Sequence, residues 1–421
     1  MRQMAILLFA LLSGVGASSG LNYHGVAVAP NGFDAWVVTI ETVAVYRTTD
    51  FGASWNHQEI LTVRDFFDVE FVDENRGWTC GRIGTIYHTT NGGADWTRQS
   101  LGGPKFSTRI RFLDPDHGWV ASGEAIVLKT TDGGEFWEML FTPNPPFPSD
   151  TVDFQGVWFV HPDTGWLVAG RWPEGDTFAG GQGYIARTTD NCASWELQRR
   201  DDSLDFYDVH FFDSREGVVV GGNDRTRQAA VLRTEDGGAS WSSVAVPAGA
   251  SFLRGVAFRG DHGWAVGRSG TIIHSSDRGR SWLDQSVPID TTLFDVDFAD
   301  SLRGMAAGNS VVVATVDGGA SWGRVFGGVN ESPPAPAPPG VRLRARYEGS
   351  GLRLAVAGVR GVWTVAVYDP AGRRKALVAG QGEGEASTKA DLARGVYLAR
   401  LESAEGGDIA RFNVLTPERG R

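Results

Sequence analysis

The apolar positions of this chain alternate in short runs, and the runs return in a fixed order. Asp68-Val69-Glu70-Phe71 alternates polar and apolar, a turn follows at Asp73 to Arg76, Gly77-Trp78 opens a second run, and Gly81-Arg82-Ile83-Gly84 turns into a third at Thr85-Ile86. Period-two alternation bounded by Gly, Asn and Asp predicts β-strands. The order recurs at Arg111-Phe112 to Gly118-Trp119, Val157-Trp158-Phe159 to Gly165-Trp166, and Val209 to Gly217. It recurs again at Val256 to Gly263-Trp264 and at Val296 to Gly304. The first unit is more degenerate, with Val26 and Val28 on its inner strand and Ala35-Trp36 in place of Gly-Trp.

Each unit closes on Ser/Thr-x-Asp-x-Gly-x-x-Trp. The copies are Thr48/Asp50/Gly52/Trp55, Thr89/Asn91/Gly93/Trp96, Thr130/Asp132/Gly134/Trp137, Thr188/Asp190/Cys192/Trp195, Thr234/Asp236/Gly238/Trp241, Ser275/Asp277/Gly279/Trp282 and Thr315/Asp317/Gly319/Trp322. Asn91 and Cys192 are the deviations. The carboxylate or amide can accept backbone N–H bonds, the hydroxyl two residues earlier assists, and Gly tolerates the positive φ of a tight turn. The spacing predicts a hairpin turn between a third and a fourth strand. The fourth strand is expected to begin at the motif Trp, with its ring wedged against the neighbouring unit and its indole N–H seeking a partner. One acidic group per turn, always at the same place, marks Asp50, Asn91, Asp132, Asp190, Asp236, Asp277 and Asp317 as scaffold rather than as metal ligands or catalytic carboxylates.

Successive motif Trp residues lie 41, 41, 58, 46, 41 and 40 positions apart. Seven four-stranded units at that period predict an all-β fold, a seven-bladed β-propeller over about residues 20–328, because closing the ring removes exposed sheet edges. A β-solenoid is the alternative; its coils are shorter and it needs distinct end caps. Residues 329–340 contain Ser332-Pro333-Pro334-Ala335-Pro336-Ala337-Pro338-Pro339, a spacer that can form neither ladder nor helix. From 341 to 421 alternating strands and Gly or Asp-Pro turns predict a small β-sandwich. At the other end, residues 1–17 combine Arg2, an apolar run from Met4 to Leu12 and small residues through Ala17, as in a cleavable secretory signal. No Cys follows that site to be lipidated, and no later stretch is long and apolar enough to cross a membrane as a helix. The chain is therefore expected to be exported, to the periplasm, the cell surface or the medium.

Composition adds three points. The chain has 56 Gly and 15 Trp, in keeping with many turns and large buried rings, and Cys80 and Cys192, in different repeats, argue for stability from packing rather than from disulfides. Charge divides at the linker: residues 341–421 carry a net +5 and the preceding 340 a net −16. An acidic propeller speaks against nucleic acid as its partner.

The unit Phe-x-Asp-Val-x-Phe…Gly-Trp-x-x-Gly-x-x-Gly-x-Ile-x-x-Thr-Thr-Asp-Gly-Gly-x-x-Trp, read near 66–96 and 252–282, resembles the Asp-box, or bacterial neuraminidase repeat. Within that class it is most similar to the photosystem II stability and assembly factor-like propellers. The tail, with Val365 to Arg373 and Leu392 to Leu401, resembles type IX secretion sorting domains and the related flagellar-hook-assembly Ig-like domain, although the chain ends on Pro417-Glu418-Arg419-Gly420-Arg421 and not directly on a strand. Propeller ligands sit where the blade-to-blade loops and the turns between second and third strands converge. On this chain that face is expected to gather Arg64, Arg82, Arg109, Arg171, Arg225, Arg227, Arg254 and Arg268, with Trp172 on an inserted loop. Guanidinium groups so placed could clamp carboxylates of a peptide or an acidic glycan, and the assembly-factor resemblance likewise implies an Arg patch for protein recognition. The function expected is thus non-catalytic binding of a protein, peptide or glycan, without cofactor or metal.

Two other readings stay open. Sialidases and xyloglucan-type hydrolases share the Asp-box, but no Arg-Ile-Pro occurs here and one propeller cannot form the cleft of a paired-propeller hydrolase. Asp65 with Asp68, and Asp205 with Asp208, are the carboxylate pairs that could serve acid–base chemistry. A passive surface protein anchored by its tail is the third reading.

Overall fold

The computed structural model describes residues 22–40, 44–60, 65–99, 106–141, 147, 152–170, 182–223 and 225–326. It also describes the strand segments 342–348, 351–357, 362–368, 374–381, 384–389, 395–403 and 406–414. The secretory segment 1–17, the linker 329–340 and the residues Arg64, Arg171 and Trp172 lie outside them. Residues 22–326 form seven antiparallel four-stranded sheets, each built from strands consecutive in sequence, so the fold is the seven-bladed propeller. Among the described residues there is no α-helix, and a single 3-10 turn covers Arg268–Gly270. The innermost strands are Asn22–Val28, Phe66–Phe71, Ser107–Phe112, Phe154–His161, Asp205–Phe211, Leu253–Arg259 and Leu293–Phe298, blades one to seven in order.

The seven Asp turns share one geometry. In blade five Thr234 Oγ1 donates to Asp236 Oδ1 at 2.8 Å and accepts from Gly238 N at 2.8 Å, while Asp236 Oδ1 accepts from Ser240 N at 2.9 Å. Both central residues have positive φ, as at Gly237 (74°) and Gly238 (93°). Blade four holds the same turn with Asn191 (φ 62°) and Cys192 (φ 68°), a backbone that favours glycine.

The expectation for the motif Trp needs two corrections. The fourth strands start one residue after it, at Asn56, Thr97, Glu138, Glu196, Ser242, Leu283 and Gly323. In blades two to seven the ring meets a Phe of its own blade edge-on, as in Phe298 with Trp322 at 5.9 Å. The wedge between blades is the second-strand Trp. Trp36, Trp78, Trp119, Trp166 and Trp264 each stack on a Phe at or near the end of the inner strand of the next blade, with ring centroids 3.5, 3.6, 3.8, 3.4 and 3.5 Å apart. Four of these indoles donate onward to the next Asp turn, for example Trp264 Nε1 to Gly318 O at 3.0 Å. Four of the five wedges follow a Gly that leaves room for its own blade's Phe, since a Cβ at Gly263 would stand 2.1 Å from the Phe258 ring; in blade one Ala35 takes that place.

The ring closes without strand exchange, since blades one and seven each complete their sheet from contiguous sequence. Blade seven reaches blade one through Asp295 Oδ2, which accepts from Val26 N at 2.9 Å, Asp297 Oδ2 from Val28 N at 2.8 Å, and Trp55 stacked on Phe326 at 5.1 Å. Beyond the propeller, Arg342–Glu348, Gly351–Ala357 and Gly384–Lys389 form a three-stranded antiparallel sheet. Arg374–Gln381, Val362–Tyr368, Gly395–Ser403 and Gly406–Val414 form a four-stranded one in that order. Cys80 and Cys192 are buried free thiols.

Candidate functional site

Each inner strand places one residue immediately before its β-branched Val or Ile on the propeller axis: Gly25, Asp68, Arg109, Gly156, Asp208, Gly255 and Asp295 in blade order. Gly lets the next strand come close, for a Cβ at Gly25, Gly156 or Gly255 would lie 2.8, 3.0 or 3.1 Å from the Cα of Asp68, Asp208 or Asp295. Each Asp in turn caps an inner-strand amide of the following blade: Asp68 that of Ile110, Asp208 that of Val256, Asp295 that of Val26, at 2.8 to 2.9 Å. Seven is odd, so three Gly–Asp couples leave one position over, and Arg109 fills it.

The Arg109 guanidinium reaches all three carboxylates, with Nη1 to Asp295 Oδ1 at 2.7 Å, Nη2 to Asp208 Oδ2 at 2.9 Å and Nη1 to Asp68 Oδ1 at 3.4 Å. Arg109 is 6% exposed and the aspartates 3% or less, so the cluster is a buried knot across the channel. Burial pushes the Asp68 carboxyl up to about 7, against the opposing pull of Arg109. Burial likewise raises Asp208. A carboxyl that keeps its proton more readily in this way lessens the cost of holding three of them on one cation away from water. Arg109 is therefore on the axis, as its place in the repeat suggests, but its donors serve its own chain and it is no free clamp.

Above the knot, the preceding residue of every inner strand contributes to a ring: His24, Phe67, Thr108, Gln155, Tyr207, Arg254 and Phe294. They line a pocket of about 40 Å³ with Arg109 at its floor, room for a few waters or the tip of one side chain. His24 Nδ1 donates to Phe67 O at 2.8 Å, and its ring stacks on Phe294 at 4.6 Å. Burial holds the His24 imidazole down at about 4, so it is neutral at physiological pH. The Arg254 guanidinium lies over Tyr207 at 4.2 Å and over Phe252 at 5.2 Å. This mouth opens where the blade-to-blade loops and the second-to-third-strand turns meet.

Of the arginines expected there, Arg254 lines the pocket and Arg109 floors it. Arg82 pairs with Asp65 at 3.3 Å and leans over Phe106, and Arg268 leans over Phe252 at 5.2 Å, so both sit in those turns at the rim. Arg225 and Arg227 are exposed in the blade-five turn. Asp65, Asp68, Asp205 and Asp208 do not form acid–base pairs across a gap: Asp68 and Asp208 are in the knot, Asp65 holds Arg82, and Asp205 accepts from Gln182 N at 3.1 Å. His24, Phe67, Thr108, Gln155, Tyr207 and Phe294 were not among the residues the sequence singled out. Aligning the seven inner strands on their Val or Ile exposes them, because each falls two positions earlier in every copy.

Residues 48–152 and 187–285, just under half the chain, match the family model described as photosynthesis system II assembly factor YCF48. Photosystem II assembly lipoprotein Ycf48 of Synechococcus sp. (strain CC9902) is 32% identical over 141 residues, 32% of this chain and 40% of that protein. Photosystem II stability/assembly factor HCF136, chloroplastic, of Arabidopsis thaliana is 25% identical over 150 residues, 32% of this chain and 36% of that one. The matches thus span about two fifths of those relatives. Among solved structures, YCF48 bound to D1 peptide superposes with a TM-score of 0.54 at 16% identity, covering 70% of this chain and 93% of that one. YCF48 from Cyanidioschyzon merolae gives 0.53 at 18%, covering 72% and 97%. The WD40 propeller domain of Doa1 gives 0.50 at 13%, covering 70% and 94%. The structural likeness is one of fold, while the repeats are similar in sequence to those of photosystem II assembly factors.

Proposed function

We propose that this chain is a non-catalytic binding propeller that receives an extended peptide segment of a partner protein at its upper axial mouth. The carrying observation is the ring of one residue per blade, His24, Phe67, Thr108, Gln155, Tyr207, Arg254 and Phe294, around a pocket that admits one side-chain tip. Its aromatic faces suit an apolar or aromatic residue, and Arg254 with the rim arginines Arg82 and Arg268 suits a neighbouring carboxylate. A similarly folded YCF48 has been solved with a D1 peptide, which supports a peptide over a glycan. The channel carboxylates are already engaged by their own chain, which favours binding over hydrolysis. A role in assembling a membrane complex from an exported location follows the Ycf48 relative, a lipoprotein. The two C-terminal sheets are read as a sandwich that attaches the propeller to the envelope or to export machinery.

The test is selection of the full chain against a randomised peptide library and a glycan array, wild type beside Arg254→Met and Arg82→Ala/Arg268→Ala. Peptide binding that each variant weakens about tenfold, a loss of about 1.4 kcal/mol, is expected. Glycan binding alone, or peptide binding indifferent to both variants, would reject the upper-mouth reading.

A further inference from the structure

The opposite mouth of the channel has its own chemistry. Two residues beyond the knot the inner strands place Ala27, Glu70, Arg111, Trp158, His210, Ala257 and Asp297, and Arg259 reaches in from blade six. A polar cavity of about 70 Å³ lies among them. Arg111 Nη1 is paired with Glu70, and Arg259 Nη2 with Asp297 Oδ1 at 2.7 Å, while Arg259 Nη1 donates to Phe258 O at 2.9 Å. Two nitrogens are left over: the Nε–H donor of Arg111 and Nδ1 of His210, a donor once the ring is protonated, are buried without a hydrogen-bond partner among the described residues. His210 is 8% exposed and lines the cavity, with Trp158 packed on it at 4.1 Å and Phe258 and Phe212 at 5.0 Å. Buried polar groups left unpaired are costly, and natural proteins seldom keep two in one cavity without a partner for them.

We propose that this lower mouth binds one small oxyanion, a carboxylate or a phosphate, between Arg111, His210 and Arg259. The site is independent of the upper mouth, from which the Arg109 knot separates it. The two guanidiniums are each balanced by one carboxylate, Glu70 from blade two and Asp297 from blade seven, so the cavity carries no net charge of its own. An arriving anion therefore meets the unfilled Arg111 Nε–H, and His210 Nδ1–H once the ring takes up a proton, without a large opposing field, and it brings negative charge between the two flanking cations. Burial, then the charges of Arg259 and Arg111, hold the imidazole well below its ordinary range. An anion seated between them offsets both cations and draws a proton onto His210, so binding and proton uptake are linked. The volume admits acetate, phosphate or the end of an acidic side chain, and the wall offers no room for a sugar ring.

The probe is the His210 imidazole in the full chain, followed by nuclear magnetic resonance while inorganic phosphate, acetate or N-acetylaspartate amide is added at pH 6 and pH 8. A saturable shift of the His210 resonances, stronger at pH 6 and accompanied by a rise of its apparent pKa, is expected. Arg259→Gln, which alters a side chain 38% exposed, is expected to weaken binding about tenfold with the thermal midpoint and upper-mouth binding unchanged. Response to phosphate or acetate assigns a free anion; response to N-acetylaspartate amide alone assigns an acidic side chain of a partner. No saturable shift with any of the three, or equal affinity of the Arg259→Gln protein, overturns the proposal.

Discussion

A single arginine decides the electrostatics of the axis. Arg109 touches aspartates 41, 99 and 186 residues away in sequence, and without it three buried carboxylates would face one another across the channel. Arg109→Met is expected to cost about 3–5 kcal/mol at pH 8, because a buried charge cluster losing its counter-ion is left uncompensated. The loss should shrink at pH 5, where the carboxylates can take up protons. Chemical denaturation at both pH values checks it. The Asp68 carboxyl titrates in the opposite sense to most structural aspartates: pushed from 3.8 to about 7, it binds more protons folded than unfolded. Its contribution is present below 3.8 and lost as pH rises through about 7, so Asp68→Asn should flatten the fall in stability over that window. Asp236 and Asp277 run the other way. Hydrogen bonds from the Ser240 hydroxyl and amide hold Asp236 near 2. For Asp277 desolvation by burial is the largest single influence and pushes upward, but the bonds from the Ser281 hydroxyl and amide, the Ser275 hydroxyl and the Arg280 amide together outweigh it and hold the carboxyl near 2. Their contribution is present above 3.8 and lost as pH falls toward 2, and Asp236→Asn should abolish its share of that acid loss. Arg109 was visible in the sequence as an axial residue, but its role was not. Nothing local in sequence indicates that the same inner-strand position in blades two, five and seven would bring three carboxylates to one point.

At the scale of elements, what joins blade to blade is an aromatic sandwich and not the turn motif itself. Trp264 of blade six stacks on Phe298 of blade seven, which meets Trp322 edge-on, and Trp264 Nε1 reaches the blade-seven turn. Phe298→Ala is expected to cost about 3–5 kcal/mol for a buried ring. A double-mutant cycle with Trp264→Leu should show a coupling of about 0.5–1.5 kcal/mol beyond the separate losses. Additive effects would mean that the stack only fills space. The four-strand unit, its turns and the blade count were legible because the hydrophobic period and the Asp turn repeat together. The wedge was misplaced, because both Trp positions are large, apolar and regularly spaced, and only the packing shows which ring crosses to the neighbour. Blade four shows why such repeats tolerate exceptions. Cys192 takes the left-handed position that Gly holds elsewhere, and Leu140 packs on the same cluster where other blades place a Gln such as Gln99 or Gln198 against that Gly.

For the whole molecule, the consequence of contiguous blades is a seam. Every other blade junction is covalently continuous, whereas blade seven holds blade one through Asp295, Asp297, Arg303 on Asn31 O at 3.3 Å and the Trp55–Phe326 stack. Native-state hydrogen exchange is expected to open Asn22–Val28 and Ala35–Ile40 before the inner strands of blades four to six, and uniform protection would contradict this. The same ring geometry limits where a partner can enter, since a channel blocked by the Arg109 knot receives one only from its mouths. The decisive measurement is photo-crosslinking of a library-selected peptide to the full chain, with the attached residues located by mass spectrometry. Crosslinks concentrated on Phe67, Tyr207, Arg254 and Phe294 are predicted; crosslinks confined to the lower face or to the strands between 342 and 414 would contradict the account.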